Sequence, residues 1–473
     1  MPRELPDLLL ITVDDMGMEI GAYGDPHVKT PSIDRLAAQG MRFDRAFVVA
    51  STCSPSRSAI LTGLHPHSNG QWGFPRYTRV RTGIRTLPDY LKSAGYFTGM
   101  IGKFMVRGEG KEFPGPQFPF DVWERVYTQD GRDPAQTGRR VTAFLEQVGE
   151  RPFFLMVNTH APHESRAVAQ SVHSAEKIPV PPTNLDTPAV RRRLTKLYDA
   201  YSQADAVVAA ILESLEAAGK TRSTLVLLLS DHGPAVPSGK GTLFDPGIRT
   251  PLIARWPGTI KPGQTSGALV STVDILPTFL EAARQPAVPG LQGRSLFDLF
   301  EGADGANRTV VFGGNTLIQG NRYFPQRAIR TAQYKYIRNL RPDIEFLNNS
   351  VKSWGLPMMI VWETDPRARF LLERNVRHPA EELYDLAADP HELVNLAGDS
   401  AHAETLSRLR GELRQWLLET GDPWIVLWDR ESGSPDPLEP AEFKNGTEPI
   451  KWLDAALKDP ALQAKYESKF GTR

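Results

Sequence analysis

The chain's single cysteine begins the string Cys53-Ser54-Pro55-Ser56-Arg57, which combines a reactive group with a fixed positive charge. One cysteine in 473 residues excludes an internal disulfide and a four-cysteine zinc site. Ser51-Thr52 and Pro55 are residue types typical of a helix start, so we predict Cys53 at or beside a helix N-terminus. Backbone amides favour an anion there, and Arg57 lies on the same helical face one turn later. This combination predicts a site for a sulfate or phosphate ester.

Acidic residues follow two of the apolar runs that we predict as strands. Asp14 and Asp15 come directly after residues 8–13, and Asp231 and His232 follow residues 225–230. An Asp-Asp pair in a solvated turn needs no partner, but a buried pair of adjacent carboxylates repels itself and requires a cation. Three aspartates from two strand ends can supply the oxygen ligands that a hard divalent ion prefers. The sequence therefore predicts a metal site between these strand ends.

The elements that must position these residues follow an alternating pattern. Short continuous apolar runs, predicted as strands, cover residues 8–13, 97–101, 153–158, 225–230 and 252–256. Helical patterns between them cover residues 32–39, 87–94, 141–148 and 189–218. This alternation predicts an α/β fold with a large, mixed and mostly parallel sheet sandwiched by helices. Ligands in such sheets lie beyond the carboxyl ends of the strands, which is where the candidate site residues fall.

The pattern changes after about residue 300, so we predict a catalytic domain at 1–305 and a smaller α+β subdomain at 306–473. Residues 309–312 and 334–337 have the composition of short antiparallel strands, whereas the Pro- and Asn-rich segment 341–366 is predicted to be irregular. One helix stripe is predicted to pack against the small sheet. It consists of Leu406, Leu409, Leu413, Trp416 and Leu417.

The cysteine motif, continued by Ser58-Ala59-Ile60-Leu61-Thr62-Gly63, resembles the signature of the type I, formylglycine-dependent sulfatases. The resemblance implies the alkaline-phosphatase-like fold and implies that a formylglycine-generating enzyme oxidises Cys53 to formylglycine. In that family the hydrated aldehyde attacks sulfur with one oxygen, and the other oxygen later expels the sulfate. The resemblance also implies that Asp14, Asp15, Asp231 and His232 bind one divalent ion together with residue 53.

Calcium is the ion that the resemblance implies first. His232 stands where many members of the family have asparagine, and an imidazole also admits softer ions such as manganese. Manganese and magnesium are therefore kept as the alternatives to calcium. The resemblance gives Arg57, Lys103 and Lys240 the task of balancing the sulfate charge. His160 would protonate the leaving group. His163 would either line the substrate rim or make a structural hydrogen bond.

Within the family, the chain is most similar to the heparan N-sulfatases (N-sulfoglucosamine sulfohydrolases), and the similarity runs nearly end to end. Its most particular features include His67-Ser68-Asn69-Gly70, from which Asn69 is predicted to contact substrate. One position departs from the family pattern. Where a histidine usually assists sulfate release, this chain has Met105, which cannot accept a proton. At this substrate-binding position, either His163 or a water replaces the histidine, turnover is impaired, or the substrate differs.

The leading hypothesis is a sulfatase that hydrolyses a sulfate ester or sulfamate, including the N-sulfoglucosamine type, on a small molecule or saccharide. The alternative is a phosphonate monoester or phosphodiester hydrolase of the same superfamily, in which an Asp-His pair at the metal also occurs. A third reading, motivated by Met105, is a pseudoenzyme that binds anions without turnover. All three hypotheses are compatible with a homo-oligomer.

Composition gives no case for a nucleic-acid or membrane partner. Lysine plus arginine and aspartate plus glutamate both number 55, so the net charge is zero. No apolar run has the length of a transmembrane helix, and the N-terminal run is too short for a signal peptide. We therefore expect a cytoplasmic protein for the chain as given, or a periplasmic or secreted one if a signal was removed.

Overall fold

A computed structural model describes residues 5–75, 78–104, 119–126, 130–163, 171–302, 308–318, 322–430 and 434–438. Within this part of the chain, eight strands form a large sheet in the order β4-β3-β5-β1-β6-β7-β2-β8. Only β7 runs antiparallel to its neighbours, so the sheet is mixed and mostly parallel as predicted. The strands are β1 Asp7–Asp14, β2 Met41–Phe47, β3 Phe97–Gly102, β4 Val122–Arg125, β5 Phe153–Pro162, β6 Thr224–Ser230, β7 Leu252–Arg255 and β8 Gln264–Ser271.

Helices cover both faces of this sheet because successive side chains of its central strand point to opposite sides. Leu9 and Ile11 of β1 belong to one apolar cluster with helices α1, α5 and α6, whereas Leu8 and Leu10 belong to a second cluster with α2, α4 and α8. The helices are α1 Pro31–Ala38, α2 Cys53–Thr62, α3 Pro66–Asn69, α4 Leu87–Ser93, α5 Pro134–Val148, α6 Pro188–Ala217, α7 Asp245–Ile248, α8 Ile275–Ala282, α9 Phe297–Phe300, α10 Asn349–Ile360, α11 Pro366–Val376 and α12 Ala403–Glu419. Among the described residues, none of these helices combines the length and apolar character needed to cross a membrane.

The predicted runs correspond to β1, β3, β5, β6 and β7, each of which is buried along nearly its whole length. The sequence did not reveal β2, β4 or β8. These strands alternate buried and exposed positions or carry polar residues, so they contain no continuous apolar run. Two of them, β4 and β8, lie at the edges of the sheet, where one side needs no apolar cover.

A second, antiparallel sheet has the order β12-β11-β10-β9. Its strands are β9 Val311–Ile318, β10 Arg322–Arg330, β11 Tyr334–Asn339 and β12 Glu381–Asp385. The predicted stripe on α12 is buried against this sheet, which confirms the small sheet packed by one helix. Phe47 and Leu243 of the large-sheet part share an apolar cluster with Val311 and Ile337 of the small sheet. The division of the chain after residue 305 stays a prediction.

The prediction of an irregular segment at 341–366 is wrong, because α10 occupies residues 349–360. Asn348 caps this helix by accepting the Val351 N–H at 2.7 Å. Val351, Met358 and Met359 are buried in an apolar cluster. Pro357 lies inside the helix, where a proline removes one backbone hydrogen bond. Burial of the apolar side chains outweighs that local cost.

Candidate functional site

Cys53 is the first residue of α2, and only 1% of its surface is exposed. Thr52, in an extended conformation, precedes it as the N-cap, and its side chain makes no capping hydrogen bond. All ten residues of α2 are buried, so this helix start lies inside the protein. The structure therefore places residue 53 at a buried helix N-terminus, as the sequence predicted.

Three nitrogen atoms surround the sulfur of Cys53. His232 Nε2 lies 3.2 Å from Sγ, Lys240 Nζ lies at 3.5 Å, and Lys103 Nζ lies at 3.6 Å. Burial alone would raise the pKa of the Cys53 thiol, but Lys103, Lys240 and His232 together hold it below its usual value. The three nitrogen groups around residue 53 thus stabilise a negatively charged side chain at this position.

The two aspartates at the end of β1 each pair with one of these lysines. Asp14 Oδ2 accepts a hydrogen bond from Lys103 Nζ at 2.6 Å, and Asp15 Oδ1 accepts one from Lys240 Nζ at 2.7 Å. Asp15 has a φ of 64°, a left-handed conformation that ends the strand's alternation of side chains. Burial opposes ionisation of both groups, but Lys103 holds the pKa of Asp14 well below its usual value, and Lys240 lowers that of Asp15 to about 2.

His232, after β6, presents Nε2 to the site. Its Nδ1 lies 2.8 Å from the carbonyl oxygen of Gly233, which can only accept, so the Nδ1 proton is held there. Nε2 faces Asp15 Oδ1 at 3.4 Å and Asp231 Oδ1 at 3.7 Å. Burial lowers the pKa of His232, but Asp231 outweighs it and raises the pKa to about 9. This raised pKa describes a ring that also carries a proton on Nε2, and a metal ion bound at Nε2 would replace that second proton.

The donor groups fit a divalent cation. Ligand atoms of Asp14, Asp15, Cys53 and His232 all lie within 4.8 Å of one another, and all four residues are buried. Asp231 lies beside this group, where its Oδ1 accepts the Asp15 N–H at 3.1 Å. Carboxylate oxygens with one imidazole suit calcium, magnesium or manganese.

Arg57 is completely buried and contacts two of the carboxylates. Its Nε donates to Asp231 Oδ2 at 2.9 Å, and its Nη2 lies 3.5 Å from Asp14 Oδ1. Nη1 donates to Asn158 Oδ1 at 2.8 Å and to Thr12 Oγ1 at 3.1 Å. These contacts fit a residue that orients the two aspartates, whereas its predicted contact with sulfate stays a prediction.

The sequence analysis missed Asn158 and Thr12, which both bond to Arg57. Each is a polar residue within an otherwise apolar strand, and that exception to the pattern could have marked them.

His160 and His163 lie at the end of β5, with ring centroids 4.9 Å apart. His160 belongs to the strand itself, because β5 extends beyond the predicted end at residue 158, and its Nδ1 lies 3.7 Å from Asp14 Oδ2. Burial lowers the pKa of His160 to about 4 and also lowers that of His163. Both imidazoles are therefore neutral at pH 7 without a ligand, and a bound anion would raise these pKa values.

Asn69 lies at the end of α3 and is hydrogen-bonded to α2. Its side chain is fully buried, and its amide nitrogen donates to Ser58 Oγ at 3.0 Å and to Thr62 Oγ1 at 3.1 Å. Its amide oxygen accepts the Gln71 N–H at 2.8 Å. Asn69 thus holds the C-terminal half of α2 to the following turn, and its predicted contact with substrate stays a prediction. Met105 lies outside the described residues.

Comparison with known proteins places this geometry in a family. Residues 6–285 match the family model described as Sulfatase, and residues 238–348 match the one described as N-sulphoglucosamine sulphohydrolase, C-terminal. The N-sulphoglucosamine sulphohydrolase of Homo sapiens is 33% identical over 482 aligned positions, which cover 89% of this chain and 91% of that protein.

Solved structures agree in fold. A protein in complex with its substrate D-glucosamine-2-N,6-O-disulfate has a TM-score of 0.68 at 21% identity, covering 90% of this chain and 100% of its own. The phosphonate monoester hydrolase of Agrobacterium radiobacter also has a TM-score of 0.68, at 19% identity, covering 88% of this chain and 96% of its own. These likenesses confirm the predicted alkaline-phosphatase-like architecture. Together with the sequence matches, they lead to one conclusion: the chain belongs to the sulfatase family.

Proposed function

We propose that this sulfatase cleaves the S–N bond of N-sulfoglucosamine units in a sulfated saccharide. The observation that carries the proposal is the convergence of Lys103, Lys240 and His232 on a buried residue 53. The substrate class is supported by the name of the human relative and by the match to the C-terminal model of the same enzyme. The sulfated glucosamine bound by the structural neighbour is consistent with it.

Residue 53 is the proposed nucleophile after a formylglycine-generating enzyme has oxidised its thiol to an aldehyde and water has added to that aldehyde, because an oxygen of the hydrate makes the attack. Asp14, Asp15, Asp231 and His232 would hold one divalent ion beside it, with calcium proposed first and manganese or magnesium as alternatives. When bound, that ion would supply positive charge that favours an ionised oxygen on residue 53.

Lys103 and Lys240 are proposed to bind the non-bridging oxygens of the sulfate. Each ammonium carries three donors, and the hydrogen bond to Asp14 or Asp15 uses one of them. The remaining donors can bind the non-bridging oxygens of a sulfo group whose sulfur approaches residue 53. Both lysines are about 4% exposed, so their charges act on the substrate with little screening by water.

His160 is proposed to protonate the atom that leaves. It is neutral in the ligand-free site, and the arrival of an anionic sulfate would raise its pKa. The contact between His160 and Asp14 would help to stabilise the protonated ring. His163, next to it, is proposed to line the substrate side of the same space.

The substrate class is tested with matched compounds on the purified, modified enzyme. We expect kcat/KM on N-sulfoglucosamine to exceed that on glucosamine 6-sulfate by about tenfold or more, which corresponds to about 1.4 kcal/mol. The two substrates carry the same sugar and differ in the position of the sulfo group and in the bond that is cut, S–N at C2 or S–O at C6. Faster cleavage of the 6-sulfate would contradict the sulfamate assignment, and a preference for an aryl phosphonate monoester over both would favour the alternative hydrolase. Cys53→Ala supplies the background rate.

The metal proposal predicts one divalent ion per chain in active enzyme. Asp14→Asn should lower the metal content, measured by elemental analysis, and should reduce kcat/KM by roughly 10- to 100-fold or more. Asp422→Asn is the matched control, because Asp422 is also buried and ion-paired but with Arg327, away from residue 53. Active enzyme without any divalent ion, or equal metal loss in both variants, would refute the assignment.

The acid role of His160 predicts a dependence on the leaving group. Across aryl sulfates, His160→Ala should lose about 10²- to 10⁴-fold with poor leaving groups and least with the best ones, which need no proton. Lys240→Ala should lose a similar factor with every leaving group, because its contacts are to non-bridging oxygens. A uniform loss in His160→Ala would contradict its role as an acid.

A further inference from the structure

One side chain of the small sheet joins the two segments that carry residue 53 and Lys240. Asn315 of β9 is 3% exposed. Its Nδ2 donates to Ser51 Oγ and to the carbonyl oxygen of Gly241, both at 2.9 Å. Its Oδ1 accepts the Ser51 N–H at 3.1 Å. A single buried amide therefore bridges the residue two positions before Cys53 and the residue directly after Lys240.

The same junction is closed by two further contacts. The N–H of Gly241 donates to the carbonyl oxygen of Ser51 at 2.8 Å. Asn348, which is 1% exposed, donates from Nδ2 to the carbonyl oxygen of Lys240 at 3.0 Å. Gly241 has a φ of 88°, and a Cβ at this position would lie 3.1 Å from Asn348 Nδ2. The left-handed conformation favours glycine here, and a Cβ would also press on the Asn348 side chain.

We infer that Asn315 is a positioning residue for sulfate cleavage, and that it sets the 3.5 Å separation between Lys240 Nζ and the side chain of residue 53. This inference rests on the proposed roles of Lys240 and residue 53. Asn348 is the second support, because it holds the backbone of Lys240 itself. Asn348 bonds to the backbone of Lys240, and Asn315 ties the next residue, Gly241, to Ser51, so we assign both amides to the placement of Lys240 relative to residue 53.

The physical basis is the cost of a misplaced charge. Loss of the Asn315 amide leaves the Gly241 carbonyl and Ser51 with unmet hydrogen bonds in a buried position, so the loop must shift to find other partners. A shift of about 1 Å in a group that stabilises the transition state can reduce the rate by about 10²-fold. The C-terminal part of the chain would in this way control the geometry of a site whose reacting groups come from the large-sheet part.

A double-mutant cycle tests this inference. Asn315→Ala should reduce kcat/KM by about 10- to 100-fold in the parent enzyme, as is usual for residues that orient an active-site group. In a Lys240→Ala background the same substitution should change kcat/KM by less than about threefold, because the group that it positions is gone. Rates are normalised to the folded fraction and to the fraction of residue 53 that is modified.

Asn339→Ala is the matched control. Asn339 is a completely buried asparagine of β11 in the same small sheet, and its Nδ2 donates to Pro379 O and Glu382 Oε1, both at 2.6 Å. We expect its melting temperature to fall as in Asn315→Ala while kcat/KM stays near the parent value. If Asn315→Ala does not fold, Asn348→Ser replaces it, since serine keeps the helix cap but is too short to reach Lys240.

Each outcome decides between the claims. Equal losses from Asn315→Ala in both backgrounds, or an equal loss in Asn339→Ala, would overturn the positioning of Lys240 by Asn315 while leaving the proposed function intact. A Lys240→Ala enzyme with full activity would refute the proposed role of Lys240 and the present inference with it. A large loss in the parent that disappears in the Lys240→Ala background supports both.

Discussion

Three carboxylates, those of Asp14, Asp15 and Asp231, lie buried at one edge of the large sheet, and the rest of the site depends on neutralising them. Isolated buried charges of one sign are strongly unfavourable, so each needs a cation close by. Arg57, Lys103 and Lys240 provide three positive charges, which equal the three negative ones when His232 is neutral, as it is with a metal ion at Nε2. A divalent ion added to this balance leaves the pocket positive, and an anionic sulfate ester or sulfamate reduces that excess.

Strand order brings these groups together. β1 lies between β5 and β6 and runs parallel to both, so their carboxyl ends meet at one edge. The aspartates of β1 consequently lie between His160 of β5 and His232 after β6, and Lys103 follows β3 on the far side of β5. Residue 53 arrives on the first turn of α2, which packs on one face of the sheet. Among the described residues the small sheet adds no charged group to this cluster, but its Asn315 bonds to Gly241, the residue after Lys240.

The strands that are buried on both faces could be predicted from the sequence. β1 and β6 are continuous apolar runs, and their ends carry the acidic residues, so both strands and the aspartates beyond them could be predicted. β2 and β8 have mixed patterns because only some of their positions are buried. α10 could not be predicted because Pro357 argues locally against a helix, and the packing that stabilises it comes from distant residues.

Hydrogen bonds between side chains that are far apart in the sequence are the second feature that could not be predicted. The amide of Asn69 bonds to Ser58 and Thr62 of α2, and no local pattern in the sequence marks these contacts. Asn315 bonds to Ser51, 264 positions earlier, and no local pattern marks such a pair. Arg57 was expected to face sulfate, but its contacts with Asp231 and Asp14 follow only from the packing of α2 against two strand ends.

The central claim is that the chemistry belongs to an oxidised residue 53 held in a cationic, metal-binding pocket. The most direct test measures the mass of the peptide that contains residue 53 in preparations with different extents of modification, together with their specific activity. The account predicts that activity rises in proportion to the fraction of aldehyde or its hydrate and falls to the Cys53→Ala background when only thiol is present. Full activity in a preparation whose residue 53 is entirely unmodified cysteine would contradict it.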